Sequence, residues 1–370
     1  MDGLLSPMHL LLVSLLSQLA TSYQQENFQS ILASLLGNKD KTLAANQWKS
    51  ASALSRFLGG NRWSLGPLIM MVRAYLLTQL LQPRGAGRRP YLEVMVDLTS
   101  LEKLGKFKQF RHWMHFYHDC YGLHIVVLYL CCGDQRVPWS LAIYRGKGKT
   151  SPAQLGLRLI QQLPDALTRA YRLQVLADGG FASQEFLTGL KQLKIPALVG
   201  CAGSRTLKDG RQLRHLARRG QQVELHNLSF PVWVSWVWQK QPNGRYRQRF
   251  VLSTRPLSPA SMNRLGAKRW RIEAFFKTMK QRFGIRRFGL RRLRAVFRWL
   301  FFAWLAYLLT HRFARLKGQA QTPDWAAIAM EVADTFFTRL MLDWHYRHID
   351  RLEGRQDSLG SFDLSFRSSS

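Results

Sequence analysis

Acidic side chains are scarce in this 370-residue chain: 22 Asp and Glu stand against 54 Lys and Arg, a formal net charge of +32. Such an excess repels itself in a compact fold and calls for a polyanionic partner, nucleic acid first and an anionic membrane surface second. Cysteine is scarce too. Cys120, Cys131, Cys132 and Cys201 have no metal-ligand spacing, which excludes a disulfide framework and points to a reducing, cytoplasmic compartment. No apolar run reaches the roughly 20 residues that span a bilayer. The run Val296–Thr310 is shorter and holds Arg298, so it reads as a core helix. The apolar opening of the chain starts Met1-Asp2, lacks a basic leading segment and carries Ser and Gln. It reads as a buried first helix rather than a signal peptide. Without an anchor the membrane alternative falls away. No internal repeat is present.

What is abundant is apolar: 46% hydrophobic and 12% aromatic residues, enough for a sizeable core. Residues 1–82 read as helical, with apolar spacings of three and four. Ser50 to Trp63 holds a short helix ended by Gly59-Gly60. Helix, turn and helix in a basic chain suggest DNA binding, although helical packing alone gives the same pattern. Gln82 to Pro90, rich in Pro, Gly and Arg, reads as a linker. From Tyr91 the texture changes. YLEVMVDLT predicts a strand ending near Asp97, and His124–Cys132 with Val137–Gly146 a hairpin. A helix follows, opened by Ser151 and Pro152. Leu173–Asp178 is a buried-type strand, and another helix and the strand IPALVG come next. This order is that of an α/β, ribonuclease-H-like mixed sheet with flanking helices. Residues 201–255 form a β-rich insertion with Asn243-Gly244 at a hairpin turn, and a long basic helix starts near Lys268. The core is thus 91–200 with 256–318, followed by C-terminal helices and a polar tail over 319–370.

In the helix Lys268–Gly284, Arg269, Glu273 and Lys280 fall within about 40° of one another at 100° per residue. Ile272, Phe275, Phe276, Met279 and Phe283 form the neighbouring apolar stripe that packs on the sheet. Between Arg264 and Arg298 there are thirteen Lys or Arg and one acid, Glu273. An ordinary i, i+4 ion pair with Arg269 or Lys277 is the plain reading of such a Glu. Against it stand two apolar strands that each end in an Asp, Asp97 and Asp178, in a chain poor in acids. Cleaving and rejoining a phosphodiester at neutral pH calls for two divalent ions about 3.5–4 Å apart. Mg²⁺ takes oxygen ligands, a few carboxylates plus water and substrate phosphate.

Asp97 in VMVDLTS, Asp178 in VLADGGFAS and Glu273 in RWRIEAFFKTMKQRFG resemble the three motifs of DDE transposases of the insertion-sequence-4 type. The third motif of that family runs Tyr, two residues, Arg, three residues, Glu, six residues, Lys. Arg269, Glu273 and Lys280 match it, while the Tyr position falls on Gly266 and a frequent Arg after the second Asp is here Gly179. The resemblance spans roughly Tyr91 to Lys317 and includes a β-rich insertion before the Glu helix. It implies that Asp97, Asp178 and Glu273 bind two Mg²⁺ ions, with Mn²⁺ able to substitute, and catalyse cleavage at transposon ends and strand transfer. It also implies transposon-end and target DNA as partners, a homodimer in synapsis, and a bacterial, nucleoid-associated setting. Arg269, Lys280 and Lys277 are then phosphate contacts. Trp233, Trp236 and Trp238 are expected on one strand face, as the insertion's own small core or, through Trp236, as a stacking surface for a displaced base. A nuclease of the same fold without strand transfer, and a catalytically dead DNA-binding descendant, stay open. His112, His115 and His118 drift around a helix and lack a Cys pair, so a zinc site is set aside.

Overall fold

The computed structural model describes residues 2–37, 40–82, 88–103, 108–117, 119–241 and 243–352, with backbone alone at 2–6, 108, 110 and 339–352. Most of the expected linker at Gln82–Pro90, His118 and the polar tail lie outside the described residues. Four helices come first: α1 (Asp2–Ser17), α2 (Ser22–Gly37), α3 (Ala51–Gly59) and α4 (Leu65–Leu80). Then follow β1 (Tyr91–Glu102), β2 (His115–Tyr117), β3 (Cys120–Cys132), β4 (Gln135–Tyr144), α5 (Pro152–Gln161), α6 (Asp165–Ala170), β5 (Arg172–Ala177), α7 (Gln184–Gln192) and β6 (Ala197–Cys201). The chain continues through β7 (Gln221–Val223), β8 (Val232–Lys240), β9 (Tyr246–Ser253), α8 (Pro259–Gln281), α9 (Leu293–Leu316) and α10 (Trp325–Leu352).

One nine-stranded sheet runs β2-β3-β1-β5-β6-β9-β8-β7, with β4 also on β3. β1, β5 and β6 are mutually parallel, whereas β3 lies antiparallel to β1 and β9 antiparallel to β6. The ribonuclease-H-like core is therefore present as expected, and the strands of 201–255 join its sheet. Its hairpin β8–β9 turns at Gly244, whose φ of 77° suits a residue without a Cβ, and β9 pairs with β6 to extend the core's own sheet. Local turn chemistry predicts the hairpin; the strand it docks on is a non-local choice that no short pattern encodes.

Period-two alternation divides the faces. Val96 on β1 meets Gly156 of α5, where a Cβ would sit 2.8 Å from the Val96 side chain. The odd-numbered Glu93 and Asp97 meet α8 instead. On this second face Tyr129 of β3 stacks on Phe275 of α8 at 4.8 Å and shares a 2.8 Å hydroxyl hydrogen bond with Tyr307 of α9. Helix α8 begins nine residues before the expected Lys268, because Ser258 caps it and Pro259 opens it, the same Ser-Pro start that opens α5. The expected stripe Ile272, Phe275, Phe276, Met279 and Phe283 is buried throughout.

Of the N-terminal helices, α2 and α3 pack on α9 rather than standing apart. Phe28, Ile31, Leu32, Leu35 and Leu36 give α2 its buried stripe, and Phe28 meets Phe302 edge-on at 4.8 Å. Ser50 caps α3, accepting from the Ala53 amide, and Gly60 ends it as expected. The last carbonyls of α3, orphaned by helix geometry, are taken by arginines of the α9 start. Buried Arg298 donates to the carbonyls of Phe57, Leu58, Asn61 and Trp63, and Arg292 and Arg294 donate to Gly59. The Arg298 guanidinium also lies 3.7 Å from the Trp63 ring centroid. Arg298 is thus a core residue, and α9, although long and apolar enough by composition to cross a membrane, has 67% of its most apolar window buried inside the protein.

Candidate active site

Asp97 and Asp178 are brought together by strand register. β1 and β5 run parallel with Val96 opposite Ala177, so the next residue on each path is an aspartate, on chains spaced about 4.8 Å apart. Asp97 sits inside β1, which continues five residues beyond the expected end, and its side chain is only 11% exposed. Asp178 leaves β5 and accepts from the Gly180 amide at 2.9 Å, capping the short 3₁₀ turn Gly179–Phe181. Burial, reinforced by the Asp178 carboxylate, pushes the Asp97 carboxyl up to about 7. The Leu98 amide, 2.8 Å from Oδ1, and Arg269 pull the other way, and Glu273 adds to the rise. Two carboxylates in low dielectric repel, and a cation between them is what would relieve the pair.

Glu273 reaches the same place from α8. Its carboxylate holds Arg269 at 2.7 Å, and the other arm of that guanidinium lies 3.9 Å from Asp97. The plain i, i+4 ion pair therefore exists, at the mouth of the site. Asp97, Asp178, Glu273, Lys277, Lys280 and Arg286 line one cleft of about 560 Å³. Burial lowers the Lys280 ammonium from its ordinary range, with Arg286 lowering it further and Cys120 and Asp97 opposing. Among the described residues no three of His, Cys, Asp and Glu are drawn into a ready cage for a metal ion; Glu273 is turned to Arg269. The donor set is nonetheless all carboxylate oxygen, the chemistry that hard divalent cations take.

Glu93 escaped sequence reasoning. It lies four residues before Asp97 on the same face of β1, is 6% exposed, and binds both Lys268 and Arg271 of α8, the latter at 2.8 Å. This double clamp fixes α8 over β1 within one and a half turns of Glu273. The signal was an acid at an inward position of an otherwise apolar strand, facing a helix otherwise rich in unpaired cations.

A second cavity of about 730 Å³ adjoins the first and shares Asp178 and Glu273 with it. Arg249, Trp238, Trp270, Arg269 and Gly266 line it. Gly266 faces open space, so the position expected for the family's Tyr projects into this cavity, and Trp270, 53% exposed one turn later, provides an aromatic there. The tryptophans of β8 do not share one face: 236 and 238 have the same parity and 233 the opposite. Trp236 is 6% exposed, packed on Phe250 at 5.6 Å with Arg219 against its ring. It belongs to the insertion's small core and offers no free face to a base. Trp238, 54% exposed in the cavity wall, is the surface tryptophan. His124 bonds the Ser100 hydroxyl and the His115 carbonyl, His115 bonds the Tyr144 carbonyl, and Asp134 pairs with Arg315 at 3.0 Å, structural roles in each case.

Comparison with known proteins accords with this geometry. Residues 91–309, more than half of the chain, match the family described as the transposase DDE domain. No curated protein matches the chain in sequence. Among solved structures, a piggyBac transposase synaptic complex with hairpin DNA is similar in fold, with a TM-score of 0.55 at 12% identity over 93% of this chain and 78% of that one.

Proposed function

The chain belongs to the family of transposase DDE domains, and from that premise we propose that it cuts the ends of its own element and joins the freed 3′ ends to target DNA. The observation that carries this reading is the pairing of Asp97 and Asp178 at adjacent parallel strands beneath Glu273, with the Asp97 carboxyl pushed up by burial and then by its Asp178 neighbour. Asp97 and Asp178 hold the divalent cations, and Glu273, now held by Arg269, is the third donor. Such ions, Mg²⁺ or Mn²⁺, supply activation of the attacking oxygen and stabilisation of the leaving oxygen.

The remaining work falls to the protein's own cations. Lys277 and Lys280, beside the carboxylates in one cleft, bind the phosphates flanking the scissile bond, where charge-assisted bonds fix register. Arg269 divides its fork between Glu273 and Asp97, keeping both oriented until substrate phosphate competes for it. Trp238 and Trp270 give the adjoining cavity two exposed π-faces on which an unpaired base at the cut end stacks. End and target DNA are the partners, synapsis uses a homodimer, and the setting is the bacterial cytoplasm beside the nucleoid. The insertion-sequence-4 type is the subgroup whose third motif Arg269, Glu273 and Lys280 follow.

The test incubates the protein with the DNA flanking its own gene and Mg²⁺ or Mn²⁺, beside Glu273→Gln. Nicked ends and joined products from the wild type alone, with end binding kept in the variant, are expected. Cleavage without joining selects a hydrolytic nuclease, binding without either selects an inactive descendant, and full joining by Glu273→Gln removes Glu273 from the metal site.

A further inference from the structure

At the end of β1 remote from the carboxylates, Tyr91 is 37% exposed and lies against two guanidinium groups. Arg172 sits 4.0 Å and Arg255 5.3 Å from its ring centroid, and Arg255 Nη1 donates to the phenol oxygen at 3.0 Å. Backbone hydrogen bonds tie in a third arginine: Arg172 Nε donates to the Arg89 carbonyl at 2.8 Å, and Arg89 Nη1 to that of Arg169 at 3.1 Å. The Arg255 hydrogen bond and the charges of Arg255, Arg172 and Arg88 hold the phenol below its ordinary range. Among the described residues none of Arg88, Arg89, Arg172 and Arg255 has an ion-pair partner. The acid two residues along the strand, Glu93, is already taken by Lys268 and Arg271. Arg255 Nε is buried with no acceptor.

A long side chain loses rotamer freedom when it is fixed, and here that cost is met inside the protein by ring stacking and carbonyl bonds. What results is three held and unneutralised guanidiniums, those of Arg89, Arg172 and Arg255, with exposed Arg88 beside them, suited to an oxyanion such as phosphate. Asp97 lies six residues further along the same strand, about 20 Å at 3.3 Å per residue, so one phosphate cannot engage both places. We propose that Arg88, Arg89, Arg172 and Arg255 around Tyr91 form a second DNA-binding surface, gripping the phosphate backbone of duplex that lies outside the catalytic cleft. This rests on the DNA-processing reading above and adds where duplex beyond the cut site is held.

The test is the salt dependence of binding to a long duplex, measured by fluorescence anisotropy for the full chain, the pair Arg172→Gln with Arg255→Gln, and the pair Arg172→Lys with Arg255→Lys. Each phosphate contact contributes about 0.9 to the slope of log affinity against log salt. The Gln pair is expected to lose about 2 from that slope and the Lys pair to keep it. The loss is expected to vanish on a duplex too short to extend 20 Å beyond the cleft. An unchanged slope in the Gln pair, or an equal loss on the short duplex, overturns the second surface alone. A wild-type chain with no affinity for either duplex overturns it together with the DNA-processing reading.

Discussion

Replacing Asp97 by Asn is expected to inactivate the protein and stabilise it at the same time. The Asp97 carboxyl titrates at 3.8 when free and is pushed up to about 7 in the fold, first by burial and then by Asp178. Below 3.8 the group is protonated in both folded and unfolded chains and contributes nothing. As pH rises from 3.8 to 7 the unfolded chain ionises while the folded one resists, so stability falls, and above 7 the loss is complete. Three pKa steps at 1.36 kcal/mol each put the loss at about 4 kcal/mol. Asn never ionises, and its oxygen still accepts from the Leu98 amide that Asp97 Oδ1 meets at 2.8 Å. The substitution also adds a unit of positive charge to a chain at +32, but most of those charges lie beyond a Debye length of about 8–10 Å, so the local effect wins. Denaturant midpoints without metal should therefore coincide at pH 4 and separate in favour of Asp97→Asn at pH 8, by up to about 4 kcal/mol. Millimolar Mg²⁺ should then raise the wild-type midpoint at pH 8 and leave that of the variant nearly unmoved, since only the native carboxylate pair gains a ligand. A variant no more stable than wild type at pH 8, or equally stabilised at both pH values, would refute the argument that an unrelieved carboxylate occupies this position.

Glu93→Gln removes the charge that Lys268 and Arg271 share. The carboxylate is 8% exposed but its partners are 36% and 27% exposed, so the cost should fall below the usual buried-pair figure, at roughly 2 kcal/mol. Measured by denaturant midpoint, it should come with slower cleavage at saturating DNA, and Glu93→Asp should recover more of the rate than of the stability if the clamp acts by placing α8. Arg298→Leu leaves the carbonyls of Leu58 and Trp63 without their side-chain donor, whereas Phe57 keeps the Trp63 indole and Asn61 the Trp63 amide, at roughly 1–3 kcal/mol for each group that water cannot reach. Amide exchange in α3 should accelerate well before that in β1; equal exchange in wild type and variant would show that the arginine cap contributes nothing.

The parts of this molecule that could be read from the chain are those whose causes are local. Asp97 and Asp178 end apolar runs, Arg269, Glu273 and Lys280 share a helix face by spacing alone, and Ser151-Pro152 announces a capped helix with both halves of its capping box formed. Ser258-Pro259 carried the same announcement for α8, and reading it would have moved the start of that helix to its true place. What stayed hidden depends on pairing between distant segments. The β8–β9 hairpin is legible through Asn243-Gly244, but β9's choice of β6 as neighbour is made by burial of both strands and leaves no mark within either. The tryptophans show how strictly parity governs a strand: three residues separate Trp233 from Trp236, an odd step that sends them to opposite faces, and two separate Trp236 from Trp238. Which of those two meets solvent then depends on how far the sheet's cover extends. Phe250 packs against Trp236, whereas Trp238 pairs with Gln248 nearer the hairpin tip. Glu93 lies between these cases. Its parity with Asp97 is plain in the sequence, and a buried acid in such a strand requires cations; that Lys268 and Arg271 supply them follows only once α8 lies across β1. The same crossing sets Glu273 above the two aspartates, so the clamp and the site have a single geometric cause.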